Sequence, residues 1–266
     1  MRGNSFVSRV RRMANRRESC RSRKPSIERL EDRTLLATVT WDGGGVLNNW
    51  SDPLNWDKDA IPGEADTAVI DLRDTFTVTL DVNATVEKLL VGGTVGTQTL
   101  DASNHTLKVA LEVQISSQGV LTASGTTIIG DVRAAGSVNV SANSRITGRL
   151  SVDPSGAVTI GAFQPCGISV PLTVDNGVTN EGTIELRNRF ACGSDGVGIL
   201  NVTSGTFVNA AGGKLLSTGT SAASSELNAA LDNRGTMQLD RPLSIQRSAA
   251  VHANSGTIHA DGGGLS

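Results

Sequence analysis

Aromatic residues are scarce in this sequence: phenylalanine, tryptophan and tyrosine make up 3% of 266 residues, and tyrosine does not occur. Large aromatic side chains dominate the cores of compact domains, so a core of that kind is not expected. Glycine, by contrast, occurs 30 times. A chain of this composition must fill its core with small aliphatic and β-branched side chains in thin layers, as solenoid repeat proteins do.

Long apolar runs and paired cysteines are also missing. No run reaches the roughly 18 apolar residues of a membrane helix, so no membrane-spanning segment is expected. Phe6-Val7 is too short for the apolar part of an ordinary secretory signal. The three cysteines, Cys20, Cys166 and Cys192, are too few for a disulfide scaffold.

Motifs that carry catalysis are lacking as well. His105, His252 and His259 are scattered and have no metal-ligand spacing, so we interpret them as solvated surface residues. The sequence contains neither a nucleophile elbow nor a phosphate-binding loop. Its exposed strand positions are mostly threonine, serine, asparagine and valine, and the basic residues of the body are spread widely. We therefore predict no enzyme and no cofactor.

Oxygen-bearing side chains crowd one region, and calcium prefers such ligands. We interpret them as turn residues, because neither an EF-hand nor a calcium-binding nonapeptide spacing is present. Calcium binding stays open as the less favoured alternative. The residues are Asp42, Asn48, Asn49, Asp52, Asn55, Asp57 and Asp59.

Charge is distributed unevenly along the chain. Residues 1–36 hold 11 Lys and Arg against 4 acidic residues, which leaves 13 basic and 22 acidic residues in the remainder. A basic arm can bind nucleic acid, but the acidic body offers no basic face to extend such a footprint. We therefore predict that residues 1–37 are a basic leader, disordered over 1–26, and that the chain has no nucleic-acid partner.

The end of this leader carries a recognisable motif. Residues 27–37 suit a short amphipathic helix, and within them Leu30-Glu31-Asp32-Arg33-Thr34-Leu35-Leu36 resembles the LEPR-XLL motif of very large bacterial exported and surface proteins. Asp32 stands where that motif usually has proline. The resemblance implies that Leu30, Glu31, Arg33, Leu35 and Leu36 form a sorting element. The protein is thus expected to be exported to the cell surface or the extracellular space.

Residues 38–80 form a tryptophan-rich segment. Trp41, Trp50 and Trp56 fall within sixteen residues, and an alternating strand, Phe76 to Leu80, follows. The pattern is similar to the opening module of adhesin-like and autotransporter-like β-helix proteins. We predict an aromatic cap over the end of a solenoid, since terminal repeats are atypical. Exposed tryptophans that stack on sugars are the alternative.

From residue 81 to 266 short alternating segments repeat. The clearest signature, Asn-x-Gly-Thr, occurs at Asn180 with Gly182, at Asn233 with Gly235 and at Asn254 with Gly256, and a relaxed copy lies at Ser204-Gly205. The glycines are expected to supply positive φ at turns. The asparagines are expected to pair their amides between neighbouring coils as a ladder.

One recurring turn at coil-length spacing favours a solenoid over a β-sandwich, and the absence of intervening helices disfavours an α/β fold. The predicted fold is all-β: a right-handed parallel β-helix of about ten coils of roughly 22 residues. The sequence ends in an open strand pattern after Asp261, which predicts further repeats downstream.

Cys166 and Cys192 lie about one coil apart in similar contexts. Equivalent Cα atoms of neighbouring coils are about 4.8 Å apart, within the range a disulfide spans. Export would place them in an oxidising compartment. A disulfide between them and two separate buried thiols are both compatible with the sequence.

These observations predict an exported, non-catalytic, adhesin-like structural protein of the cell surface. A surface polysaccharide or another cell-surface component is the expected partner. Many polysaccharide lyases and hydrolases share this fold class, so a polysaccharide-binding or polysaccharide-degrading β-helix enzyme is the alternative.

Overall fold

The computed structural model describes residues 37–161, 167–247 and 249–266. In these ranges the regular structure is β-strand, apart from one short 3-10 helix, Pro53–Asn55. The predicted basic leader, the helix at 27–37 except its last residue, the sorting motif and Cys166 lie outside the described residues. What was predicted for them stays a prediction.

The strands follow from alternation of apolar and polar residues. In Ser137–Val140 and Ala157–Ile160 the valines and the isoleucine are buried, whereas the residues between them are partly exposed. Successive side chains of a strand point to opposite faces, so one side of each strand enters the core and the other faces solvent.

Twenty-four strands follow one another along the described chain. They are β1 Thr38–Thr40, β2 Thr67–Ile70, β3 Phe76–Thr79, β4 Ala84–Val86, β5 Lys88–Val91, β6 Gln98–Asp101, β7 Thr106–Ile115, β8 Gly119–Ala123, β9 Thr127–Ala134, β10 Ser137–Val140, β11 Ser144–Ile146, β12 Leu150–Val152, β13 Ala157–Ile160, β14 Val170–Val174, β15 Val178–Asn180, β16 Thr183–Ala191, β17 Ser194–Gly196, β18 Gly198–Asn209, β19 Lys214–Gly219, β20 Ser225–Asn233, β21 Thr236–Leu239, β22 Leu243–Ile245, β23 Ala253–Asn254 and β24 Thr257–His259.

These strands form two sheets of 14 and 10 strands, and all their pairings are parallel except that of β16 with β17. A coil passes through three faces. Face A holds β4, β11, β14, β22 and the first parts of β7, β9, β18 and β20. Face B holds β1, β2, β5, β12, β15, β23 and the second parts of those long strands. Face C holds the strands of the second sheet other than β17, from β3 to β24.

This arrangement confirms the predicted parallel β-solenoid. Nine strands stack in chain order on face C, close to the ten coils predicted. Coil length varies more than expected, from 17 residues between Leu121 and Val138 to 31 between Ile184 and Leu215, which are Cα partners. The right-handed winding stays a prediction from the crossover rule.

The core is one continuous column of aliphatic side chains. On face C the buried residues Leu121, Val138 and Val158 are stacked partners on successive coils, and Ile184 continues the column. Burying a side chain of this size contributes about 1.5–3 kcal/mol. Each coil therefore fills only its own layer, which explains why the fold needs few aromatic residues.

The asparagine ladder is present on face B, but its membership differs from the prediction. Nδ2 of Asn180 donates to Oδ1 of Asn209 at 2.8 Å, Asn209 donates to Asn233 at 2.7 Å, and Asn233 donates to Asn254 at 2.6 Å. The assignment of Ser204-Gly205 as a relaxed copy of the repeat is wrong. The residue that occupies the asparagine position of this coil is Asn209, which is the Cα partner of both Asn180 and Asn233. Two alanines between Asn209 and the following Gly-Gly pair hid this copy in the sequence.

The glycines of the repeat lie at the turn from face B to face C. The expectation that they supply a positive φ there is wrong. None of Gly182, Gly235 and Gly256 has a positive φ. A Cβ atom at any of the three would overlap backbone carbonyl oxygens of the preceding coil. Glycine is required there because stacked coils approach closely, not because the turn is left-handed.

The three tryptophans are buried together at the N-terminal end of the solenoid. Trp56 meets Trp41 and Trp50 edge-to-face, with ring centroids 5.1 and 4.8 Å apart. The backbone N–H of Trp50 donates to the carbonyl of Thr79 at 2.8 Å, so this segment pairs with the first strand of face C. Because the rings are buried, they offer no exposed platform for sugar stacking.

Strands β16 and β17 form an antiparallel hairpin that interrupts the parallel pattern. Cys192 and Gly193 at its tip have φ values of 53° and 79°, as the type I′ turns of tight hairpins require. Cys192 is disulfide-bonded. Cys166, its predicted partner, lies outside the described residues, so the pairing stays a prediction.

Candidate functional site

Face B carries charged side chains on successive coils, which the sequence analysis did not anticipate. Glu112 and Asp131 are Cα partners, and the residues flanking them in register are Lys88 and Arg149. Nζ of Lys88 lies 3.4 Å from Oε1 of Glu112. The backbone N–H of Arg149 donates to Oδ1 of Asp131 at 2.8 Å. Charged side chains are concentrated on these coils, whereas the outward residues of most other strands of face B are uncharged, as expected.

A second charged group lies beside the first. Nε of Arg133 donates to both carboxylate oxygens of Asp153, at 3.1 and 2.9 Å. The hydrogen bond and the charge of Asp153 raise the pKa of the Arg133 guanidinium, and the charges of Glu112 and Glu181 raise it further. Arg133 is therefore surrounded by carboxylates from the coils on either side and stays protonated at any working pH.

Except for Lys88, these side chains line an open cavity of about 400 Å³. A second cavity of about 170 Å³ continues it towards the C-terminus, and the two share Arg149 and Thr179. We call the combined depression the B-face groove. Its lining residues are Glu112, Asp131, Val132, Arg133, Arg149, Leu150, Ser151, Val152, Asp153, Asn176, Gly177, Val178, Thr179, Glu181, Thr206 and Val208.

Missing side chains at the neighbouring bend help to form the groove. The bend between faces A and B carries glycine on four successive coils, at Gly130, Gly148, Gly177 and Gly205. At Gly148 a Cβ atom would overlap the Asp131 carboxylate and the carbonyl of Gly130, and Gly177 has a φ of 95°. A side chain larger than hydrogen is thus excluded at Gly148 and Gly177. These positions of the bend therefore have no side chain that would fill the groove.

Several polar groups in the groove keep their hydrogen-bonding capacity. Within the described chain no side-chain hydrogen bond or ion pair involves the Arg149 guanidinium, the Glu181 carboxylate, or the hydroxyls of Ser151 and Thr179. Nε of Arg133, in contrast, is already hydrogen-bonded to the Asp153 carboxylate. The groove thus offers a free donor, a free acceptor and two hydroxyls on adjacent coils.

The other residues singled out in the sequence lie elsewhere. Nδ1 of His105 is 2.8 Å from the Ser103 carbonyl, His252 lies near the backbone of Leu231, and His259 is on face C. The acidic residues near the tryptophans accept backbone hydrogen bonds: Asp52 accepts from the Leu54 N–H of the 3-10 helix at 3.0 Å, and Asp57 accepts from the Thr40 N–H of β1 at 3.0 Å. Across the described ranges no group of three or more His, Cys, Asp or Glu side chains is placed to hold a metal ion.

No helix within residues 37–161, 167–247 and 249–266 is both long and apolar enough to cross a bilayer. The chain matches no protein-family model, no curated protein and no solved structure. The chemistry of the B-face groove therefore has to follow from its own side chains.

Proposed function

We propose that this protein is an exported, non-catalytic, adhesin-like structural element of the cell surface. The unbroken stack of coils carries the proposal: on face C each strand from β3 to β21 pairs in parallel with the next strand of that face, up to β24. In such a stack each coil contacts only its neighbours. Coils can therefore be added without disturbing the rest, which suits a spacer that presents a surface at a distance.

Two features support export. The run from Leu30 to Leu36 resembles a sorting motif of exported bacterial proteins. In addition, Cys192 is disulfide-bonded, and disulfides persist mainly in oxidising compartments outside the cytosol. Both features would be unusual together in a protein that remains in the cytosol.

Surface accessibility in the producing cell tests this proposal. Protease added to intact cells is expected to degrade the full chain, whereas a variant with Leu35→Ala and Leu36→Ala is expected to remain inside and protected. Leu47→Ala is a matched control, because Leu47 is an exposed leucine outside the motif. Protection of the unaltered chain inside intact cells would contradict the proposal.

A polysaccharide-degrading enzyme is the second candidate, and the B-face groove favours it. Glycoside hydrolysis needs two carboxyl groups that flank the scissile bond, and Asp131, Asp153, Glu112 and Glu181 all line the groove. Incubation with a panel of acidic and neutral polysaccharides separates the candidates. Release of reducing ends would support the enzyme, whereas unchanged polymers together with surface accessibility would support the structural element.

A further inference from the structure

We infer that the B-face groove binds a hydroxyl-rich polysaccharide chain that lacks acidic groups, either neutral or amino-substituted. Adhesion at this groove rests on the proposed surface location of the protein, whereas binding itself is a property of the folded chain. The inference depends on four features of the groove: its length, its free polar groups, its charge and its lack of aromatic residues.

The length of the groove suits a polymer. Its lining extends from Glu112 to Val208, across five successive coils of face B. Four spacings of ~4.8 Å between coils give a length of about 19 Å along the stack. Such a depression, open along its length and running across the strands, can hold several units of an extended chain.

The free polar groups match hydroxyl groups. A sugar hydroxyl both donates and accepts, so it can donate to the Glu181 carboxylate and accept from the Arg149 guanidinium. Ser151 and Thr179, which lie on the adjacent coils in the same groove, can do either. Because none of these four side chains makes a side-chain hydrogen bond or ion pair within the described chain, binding would not require breaking such a bond.

The charge of the groove selects against acidic polymers. The larger cavity is lined by four carboxylates and two guanidinium groups. Asp153 pairs with Arg133 at 2.9 Å and Glu112 pairs with Lys88 at 3.4 Å, which leaves two carboxylates, Asp131 and Glu181, and one guanidinium, Arg149, outside any ion pair of the described residues. Like charges placed together disfavour a wrong partner, so a uronic acid polymer should be excluded. An amino group on the sugar should strengthen binding.

Among the residues that the structure describes, no aromatic side chain lines the groove. A sugar ring therefore cannot gain affinity by stacking on an aromatic side chain in this groove. Each sugar unit should bind weakly, and a long chain that occupies the whole groove should bind more tightly than a short one because the later contacts become intramolecular.

Affinity electrophoresis of the full chain tests the inference. The gels contain chitosan as the amino-substituted polymer, mannan as the neutral polymer or polygalacturonate as the acidic polymer. We expect retardation by chitosan and by mannan but not by polygalacturonate. Glu181→Gln and Arg149→Gln should each weaken retention by mannan about tenfold, the loss expected for one hydrogen bond to a charged group. Glu181→Gln should weaken retention by chitosan more than Arg149→Gln does.

Glu226→Gln is the matched control, since Glu226 is an outward carboxylate of face A, away from both cavities. It should leave retention unchanged, and circular dichroism should show that all three variants are folded. Retardation by polygalacturonate alone, no retardation by any polymer, or equal losses in Glu226→Gln and Glu181→Gln would overturn the inference. Protease accessibility of the same variants on intact cells is scored separately, so that failure of groove binding is distinct from failure of surface location.

Discussion

At the scale of single residues, the most constrained positions are those where one coil meets the next. Asn209 is fully buried and makes side-chain hydrogen bonds to Asn180 and Asn233 as well as to the carbonyl of Thr236. A buried polar group left without a partner costs about 1–3 kcal/mol. The ladder is therefore favourable only while it is continuous, and its middle member should matter more than its exposed end.

Asn209→Ala should accordingly lower the free energy of unfolding by about 3 kcal/mol, because Asn180 and Asn233 both lose a partner. Asn254→Ala, at the exposed end of the same ladder, should lower it by about 1 kcal/mol, because only Asn233 loses a partner. Urea denaturation of the two variants measures the difference. Equal losses would show that the ladder does not act as a buried network.

The glycine column offers a second test with adjacent residues. At Gly213 a Cβ atom would overlap the carbonyl of Asn180, whereas at Gly212 the nearest atom would be 3.6 Å away. Neither glycine has a positive φ, so backbone freedom does not distinguish them. Gly213→Ala should destabilise the protein by roughly 1–3 kcal/mol through overpacking, and Gly212→Ala should stay within about 0.5 kcal/mol of the unaltered chain. Thermal unfolding would contradict this account if Gly212→Ala were the more harmful change.

At the scale of elements, the tryptophan-rich segment and the hairpin of β16 and β17 depart from the repeat. The first is held by hydrogen bonds to a carboxylate and the second carries a disulfide. The tryptophan-rich segment is tied to the end of β3 through Ser51, whose N–H and hydroxyl donate to the Asp81 carboxylate at 2.9 and 2.5 Å. Partial burial alone would raise the pKa of Asp81, but the hydrogen bonds from Ser51 outweigh it and lower that pKa.

A lowered pKa in the folded state means that the Asp81 contact adds stability above the unfolded pKa of about 3.9 and loses it as the pH falls through the lower, folded value. The effect should stay below about 1 kcal/mol, since the site is largely solvated. We expect tryptophan fluorescence to report a looser segment at pH 3 than at pH 6. Asp81→Asn should show the looser signal at both pH values, and an unchanged pH response in that variant would contradict the assignment.

The hairpin of β16 and β17 carries Cys192, and its disulfide gives a prediction for Cys166. In a Cys20→Ser background, the non-reduced folded protein should contain no thiol that an alkylating reagent can modify. Cys166→Ser in the same background should release one reactive thiol at Cys192. If Cys192 stayed unreactive in that variant, or if both thiols of the background protein reacted, the predicted pairing would be wrong.

At the scale of the whole solenoid, the sequence predicted the class of fold because each strand alternates and the turns share one signature. It did not predict the B-face groove. Two spacings in the groove are similar, 19 residues from Glu112 to Asp131 and 18 from Asp131 to Arg149. The next coil that lines the groove is longer, so the spacing is not kept. With coils from 17 to 31 residues long, spacing alone does not reveal which outward side chains stack. Only the strand register brings them together.

The pairing register between coils also explains why the sequence revealed only some of the repeat asparagines, and why it did not reveal the reason for the repeat glycines. Asn180 and Asn233 share a motif in the sequence, but Asn209 between them does not, and only its pairing with both shows its place. Similarly, the close approach at Gly182 involves carbonyl groups of Asp153 and Gly156, which lie one coil earlier. Contacts between coils are invisible to a local pattern when coil lengths vary.

The stacking of coils in register is the central claim, and cross-linking tests it most directly. Thr122, Asn139 and Thr159 are outward Cα partners on three successive coils of face C. In a background with the three native cysteines replaced by serine, the pairs Thr122→Cys with Asn139→Cys and Asn139→Cys with Thr159→Cys should form disulfides on oxidation, because neighbouring coils are ~4.8 Å apart. The pair Thr122→Cys with Thr159→Cys, two coils apart at about 9.6 Å, should not. Efficient cross-linking of that third pair, or none in the first two, would contradict the account.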